Sequence, residues 1–377
     1  MSLRFDALAA SAAGALTGGG ESVPANLDAA RSLGLPALTV PERDGGMGAN
    51  LLEFASYQLR LGAADGATAL VLAMHHMLIG GEAESGLWPA EQWAELTRAA
   101  VVEGKLVNSA ATEPGAGTPS AGGLPGTAAT LDGGTGMAPV AGSQWRLSGR
   151  KAYTTGAPYL GLMRVSARVD PPGEEAFGAR FLVRLPAPGL AVEDMWHPAA
   201  LGGAANYDVV LDGAPATLLY REDGRGCEGT VWFQVAIAAT YLGIGQAAYE
   251  QLLAFTRGRV TAAGAVSDRE SVRLRLGRAR AGLDVARRVL LDTCRQWVEW
   301  TAAEPRERLL PDVGLAKVTA VNAAVAAAEE AVRLSGAGGF GQGQPFPRLL
   351  LETRAGLSHP PIDDVAYLRL AERDLSG

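Results

Sequence analysis

The sequence predicts an α+β fold in three consecutive parts, helices, then a β domain, then a helical bundle, and three observations carry that expectation. Up to about Val107, and again from about Gly229 to the end, apolar residues recur at spacings of three and four, as helices with one buried face require. Between Asn108 and about Leu219 they alternate with polar or small neighbours among Gly, Pro and Thr, as half-buried strands do. The order itself excludes a single doubly wound sheet or a TIM barrel, both of which interleave strands and helices. The resulting boundaries are 1–107, 108–222 and 223–377.

Within the first part, Leu51, Phe54, Tyr57 and Leu61, then Leu70 and Leu72, predict two packed helices interrupted at Gly62 and Ala64-Asp65-Gly66. Trp88, Trp93 and Leu96 mark a further helix with Pro89 near its first turn, where a missing amide hydrogen matters least. In the second part, Trp145 and Leu147, then Val165, Ala167 and Val169, then Phe181, Val183 and Leu185, then Val209 and Leu211 predict strands. Turns are expected at Asp170 to Gly173, Pro186 to Gly189 and Asp212 to Pro215. In the third, Val235 to Phe255, Val272 to Trp300 and Asp312 to Leu334 predict long antiparallel helices. The run Ala320 to Ala331, nearly all Ala and Val, lets a neighbouring helix approach closely. No internal repeat is visible.

A chain of 377 residues can bury a large core. Cys227 and Cys294 are too few and too isolated for a disulfide framework, and no Cys or His spacing suits a metal. The formal net charge of −7 argues against a nucleic-acid partner, which would need concentrated positive charge. Arginines between Arg269 and Arg288 recur at helical spacing among Leu and Ala, and read as a solvated helix face. No window of 18 residues is wholly apolar, and no basic segment followed by an apolar stretch opens the chain. A soluble, cytoplasmic protein is the expectation.

Three segments could carry chemistry. Thr112-Glu113-Pro114-Gly115-Ala116-Gly117-Thr118 is a Gly-rich turn after the strand Leu106 to Ala111, suited to presenting backbone amides and hydroxyls. It is neither a Rossmann fingerprint nor a Walker loop. Trp145 to Ala157 reads as strand, turn and strand, with Tyr153 beside Thr154 and Thr155, a setting for a flat heteroaromatic ligand. Ser335-Gly336-Ala337-Gly338-Gly339-Phe340-Gly341 is a glycine cluster after a long helix. Singly, each has a plain structural explanation as a turn, a β-hairpin or a helix C-cap.

Together and in this order, the three segments resemble the acyl-CoA dehydrogenase superfamily. Leu33-Gly34-Leu35 with Val40-Pro41-Glu42-Arg43-Asp44-Gly45-Gly46-Met47-Gly48 is similar to that family's early helix-and-loop signature. Leu242-Gly243-Ile244-Gly245-Gln246-Ala247 is similar to the start of its C-terminal bundle, and Arg333 to Phe340 to its second flavin-contacting loop. The resemblance implies an N-terminal helical domain, a middle β-barrel-like domain and a C-terminal four-helix bundle, assembled as a homotetramer or dimer. It implies FAD between the β domain and the bundle, with FMN or reduced flavin as the alternative. Thr112, Gly117 and Thr118 would then contact the cofactor, Tyr153 would stand against the flavin ring, and Thr155 would meet its N5. Arg259 would approach the pyrophosphate of a neighbouring subunit's FAD, with Gly336, Gly338 and Gly339 near its adenosine part. The usual Phe-Gly after that arginine is here Ala262-Ala263.

One departure bears on function. In the resembled family a Glu before the last helix removes an α proton, and the corresponding stretch here is Arg354 to Asp364, with the Glu position at Pro360 or within a residue of it. An alternative family location falls near Phe233-Gln234, which also lacks a carboxylate. His359 resembles a histidine of the related reduced-flavin monooxygenases, His75 and His76 could line the same cavity, and Asp363 or Asp364 could stand in for the Glu if the loop is displaced. Three functions follow as expectations: an FAD-dependent oxidoreductase of acyl-CoA dehydrogenase type acting on an acyl thioester or related carbonyl compound; a two-component reduced-flavin monooxygenase using His359; or a non-catalytic flavin or acyl-CoA binder. The partners implied are a small-molecule substrate such as an acyl-CoA and an electron-transfer flavoprotein or flavin reductase.

Overall fold

The computed structural model describes residues 23–115, 123–132, 140–195, 197–224, 226–262, 264–301 and 305–376. Among these, the helices α1 (Val23–Ser32), α2 (Leu51–Ala64), α3 (Gly66–Ser85) and α4 (Ala90–Val102) come first. Reciprocal capping starts α2: Asn50 Oδ1 accepts from the Glu53 N–H at 3.0 Å while Glu53 Oε2 accepts from the Asn50 N–H at 3.1 Å. Asp65 breaks the chain between α2 and α3, its Oδ2 capping the Thr68 N–H at 3.1 Å and accepting from Asn26 Nδ2 of α1 at 3.2 Å. Pro89 is the N-cap of α4, so Trp88 precedes that helix instead of lying in it.

The strands β1 (Leu106–Ala110), β2 (Ala128–Leu131), β3 (Gln144–Thr154), β4 (Leu160–Val169), β5 (Phe177–Arg184), β6 (Leu190–Glu193) and β7 (Tyr207–Arg221) form one sheet. Pairing runs β4 to β2, β3, β7 and β5, and β5 pairs back onto β4, closing a ring. β1 lies parallel to β4 outside the ring, and β6 pairs with β7. Trp145, Leu147, Val165, Ala167, Phe181, Val183, Val209 and Leu211 fill its core, as their alternation requires.

Two sequence expectations fail here for one reason. The turn expected within Trp145 to Ala157 does not break the strand before Thr154, because β3 runs on from Gln144 to Thr154 with a shift of register against β7 between Leu147 and Gly149. Opposite that shift, Asp212 to Pro215 is no turn either but lies within β7. A bulge takes up the glycines instead of reversing the chain. Pro215 pairs with Arg146 on one side, while on its other side β6 pairs with residues up to Leu211 and β5 from Thr217 onward, so its missing N–H costs no ladder bond.

The last part consists of α5 (Glu228–Arg257), a small β8 (Val260–Thr261) and β9 (Gly264–Ala265) pair, α6 (Glu270–Val298), α7 (Leu310–Ser335), α8 (Phe346–Ala355) and α9 (Asp363–Ser376). α5 to α8 make the four-helix bundle, and α5 also packs on α2 and α3, so one core runs through both helical parts. A Cβ at Gly243 would lie 2.4 Å from the Leu59 carbonyl oxygen, and one at Gly62 the same distance from that of Thr240, which is how α2 and α5 approach so closely. α5 and the α7 segment, though not wholly apolar over any 18 residues, are long and apolar enough to cross a membrane by length and composition, and α5 is largely buried inside the protein. Cys227 and Cys294 are buried free thiols, and desolvation pushes the former up to about 12.

Candidate functional site

Backbone strain marks one end of the β domain. Among the described residues, Tyr153, Leu201 and Ala205 are the non-glycine residues with positive φ, at 56°, 55° and 46°. Tyr153 and Ala205 flank the pairing of Thr155 with Asn206. The Thr155 Oγ1 donates to Asn206 Oδ1 at 2.5 Å, the Thr155 carbonyl accepts from Asn108 Nδ2 of β1 at 2.9 Å, and the Gly156 N–H donates to the Ala204 carbonyl at 2.8 Å. Such conformations cost about 1–3 kcal/mol each and persist where the surroundings over-determine them, commonly at ligand sites. The Tyr153 ring is 54% exposed, on the outer side of this corner.

The neighbouring turn is held by a buried ion pair. Glu113 Oε1 accepts from Lys151 Nζ at 2.5 Å, Thr127 Oγ1 at 2.7 Å and the Thr127 N–H at 2.9 Å, while its Oε2 accepts from the Gly126 N–H at 2.6 Å. Burial by itself would raise the carboxyl, but these donors outweigh it and hold Glu113 down to about 2. The Thr112 carbonyl takes the Ala152 N–H at 2.9 Å, so Thr112 and Tyr153 sit on segments locked together. Gly117 and Thr118 lie outside the described residues.

A second cluster forms where α5, α7 and the loop before α9 meet. Tyr241 Oη and His359 Nε2 are 3.0 Å apart, and the Phe233 ring stands edge-on to the imidazole at 6.2 Å. When the ring carries its proton at Nδ1, the phenol donates to Nε2 and occupies that lone pair. Desolvation, aided by the Lys317 ammonium, lowers His359 to about 4, and desolvation raises Tyr241. Both are neutral at pH 7. No carboxylate among the described residues contacts the ring: Asp363 accepts from Asn322 Nδ2 at 2.7 Å, and Asp364 is exposed in the first turn of α9. Gln234 is buried with its Oε1 lacking a hydrogen-bond partner.

α5 connects the two clusters. Leu201 Cδ2 and Ile244 Cδ1 both pack at Gly66, and Ile244 is one helical turn beyond Tyr241. The Thr155 corner and His359 therefore meet the same stretch of helix from different sides. Asn108, Asn206, Tyr241 and Lys317 escaped the sequence reading of this site, since single polar residues in apolar-patterned segments carry no local signal, while Glu113 and Lys151 lie in segments it singled out without a role of their own.

His75 and His76 do not share this site. His75 Nδ1 accepts from the Val107 N–H at 3.0 Å and Nε2 donates to the Pro36 carbonyl at 2.8 Å, so it is fully bonded, and burial lowers it to about 4. His76 is buried against Phe54, Tyr57 and His75 in the helical core. Arg259 Nη1 donates to the Ser335 carbonyl at 2.9 Å and its guanidinium lies 5.5 Å from the Phe255 ring centre, against which Gly338 also packs. Gly336 to Phe340 form a single 3₁₀ segment in which Gly336 has φ 58° and open space where a side chain would project, and Gly339 is buried.

Comparison with known proteins gives concordant matches. Three family models match in succession: acyl-CoA dehydrogenase, N-terminal domain, over residues 12–84; middle domain over 108–214; and C-terminal domain over 235–363. The chain is 30% identical over 349 residues to a putative acyl-CoA dehydrogenase, YdbM, of Bacillus subtilis, covering 90% of this chain and 87% of that protein. It is 28% identical over 367 residues to L-evernosamine nitrososynthase of a Micromonospora species, covering 89% and 80%. The FMN-bound dibenzothiophene monooxygenase of Paenibacillus sp. A11-2 superposes with a TM-score of 0.83 at 19% identity, covering 99% of this chain and 96% of that one.

Proposed function

The chain belongs to the acyl-CoA dehydrogenase family, and from that premise we propose that it is a flavin-dependent oxidoreductase of the reduced-flavin, oxygen-using kind. The family is flavin-dependent, and the residues present suit such a group: the strained corner at Tyr153, Leu201 and Ala205, the hydroxyl of Thr155, and the exposed Tyr153 ring offer stacking and hydrogen bonding to a flat heteroaromatic ring. Arg259 and the open side of Gly336 suit a phosphate-bearing tail. Bound reduced flavin supplies two electrons which, with two from the substrate, reduce dioxygen, one oxygen atom passing to the substrate and the other leaving as water.

One observation carries the choice of reaction. The polar group beside the family's base position is His359, a neutral histidine whose Nε2 is engaged by a phenol, and no carboxylate stands there. An acyl thioester does not lose its α proton without a base in reach, and an imidazole held at about 4 is a weak one. A neutral His359 and Tyr241 pair does serve as a hydrogen-bond donor to an oxygen-bearing substrate, while Phe233 helps exclude water. The resemblances to a nitrososynthase and a monooxygenase support this reading.

The second reading is α,β-dehydrogenation of an acyl thioester, favoured by the 30% identity to a putative acyl-CoA dehydrogenase over 90% of the chain. A flavin reductase is the partner under the first reading and an electron-transfer flavoprotein under the second. Self-association belongs to both, with Arg259 and Gly336 to Gly339 facing a second copy's cofactor. Equilibrium titration with FMN and FAD in both redox states separates them. Tighter binding of reduced flavin, with oxygen-dependent product formation, is expected; tight oxidised FAD bleached anaerobically by acyl-CoA would establish the dehydrogenase instead.

A further inference from the structure

Lys317 is fully buried in α7, among Val313, Ala316, Ala320 and Val321. Its Nζ donates to the carbonyls of Gly356 and Pro361, each at 3.1 Å. Those two carbonyls bracket His359 in sequence, three residues before it and two after. We propose that Lys317 is a positioning residue, the clamp that holds the His359 ring against the Tyr241 hydroxyl. What the ring does for catalysis rests on the functional reading above; the clamp itself does not.

Packing alone does not call for a lysine here. The buried face of α7 is otherwise mainly small and apolar, and an ammonium withdrawn from water is costly unless its N–H groups are bonded. The bonds it makes fall on both ends of one short loop. The Tyr241 ring lies directly over Gly356, where a Cβ would come within 2.8 Å of the ring carbon Cγ. One ammonium therefore fixes the platform under the phenol and the exit of the loop that carries the imidazole, which sets the 3.0 Å separation between them.

The clamp has an electrical side. A positive charge beside the loop disfavours a second one on His359, which burial already opposes. Burial likewise lowers Lys317, to about 8, with Asp363 acting in the opposite direction. Between those limits the lysine is charged and the histidine neutral. The other groups that face them are Tyr241 and Gln234 from α5, Asp363 of α9, and Glu352 of α8, whose charge bears on Tyr241.

Imidazole NMR titration of the full-length protein tests this, because its four histidines give few signals and His359→Gln assigns the relevant one. The unmodified protein should show a His359 midpoint near 4 and a second displacement near pH 8 as Lys317 loses its proton. In Lys317→Met the upper displacement should vanish and the lower midpoint rise. An identical titration in the variant, or ring nitrogen shifts in the unmodified chain that show no hydrogen bond between His359 Nε2 and the Tyr241 hydroxyl, overturns the clamp, and the latter decides even if Lys317→Met does not fold. A chain that shows this coupling but holds no flavin in either redox state keeps the clamp and loses the functional reading.

Discussion

His359 and Tyr153 show how differently the two candidate residues are specified. Under the proposed function His359 would act through what it touches, Tyr241 Oη and the loop held by Lys317. His359→Gln and Tyr241→Phe should therefore each lower turnover about a hundredfold while leaving flavin affinity within twofold, the scale of a lost donor at a reacting oxygen. Steady-state kinetics beside a flavin titration checks this, and a parallel loss of flavin affinity would contradict it. Tyr153 carries its role through an exposed ring on a left-handed backbone. Tyr153→Gly should not lower the melting temperature of the flavin-free chain, because glycine adopts that φ without strain, yet should weaken flavin binding about fivefold to tenfold through lost stacking.

At the scale of elements, two devices hold the site. The Glu113 and Lys151 pair ties the turn after β1 to β3, and removing one partner leaves the other charge buried. Glu113→Gln and Lys151→Met should each cost about 3–5 kcal/mol in denaturant unfolding and loosen flavin binding with it. Because the folded carboxyl is held at about 2, below its value in the unfolded chain, the pair's contribution is complete above about pH 4.5 and is lost as pH falls toward 2. The crossing of α2 and α5 is the other device. Gly243→Ala would drive a methyl into the Leu59 carbonyl and should destabilise the protein by about 1–3 kcal/mol, displacing Tyr241 on the same helix. A variant with unchanged stability would show that the crossing yields.

Across the whole molecule, the buried histidines set an acid limit. His75 and His359 are lowered to about 4 and His76 well below its ordinary value, so between about pH 6.5 and 4 the unfolded chain binds more protons at these three rings than the folded one, an effect that Glu82, raised by burial to about 7, partly offsets. Stability should fall as pH drops through that window, with the fully buried His75 alone accounting for up to about 3 kcal/mol. Thermal melts at several pH values read this directly, and a flat profile from pH 6.5 to 4.5 would contradict it. Added flavin should raise the melting temperature in proportion to the logarithm of its concentration, since it binds the folded chain alone.

Period and punctuation determined the architecture from sequence: spacings of three and four gave the helices, alternation gave the strands, and Ala64-Asp65-Gly66 marked the break between α2 and α3. The same reasoning misread the turn within Trp145 to Ala157 and the one at Asp212 to Pro215, because a local glycine looks alike whether it turns a chain or sits in a bulge, and the pairing partner decides which. The site divided along the same line. Thr112, Tyr153, Thr155 and His359 stood out because they lie in motifs or in a departure from one. Tertiary structure alone brought Asn206 to Thr155, Lys151 to Glu113, and Tyr241 and Lys317 to His359, and it sent His75 elsewhere. Those contacts join residues 32 to 118 positions apart, a separation over which sequence periodicity conveys nothing and packing conveys everything.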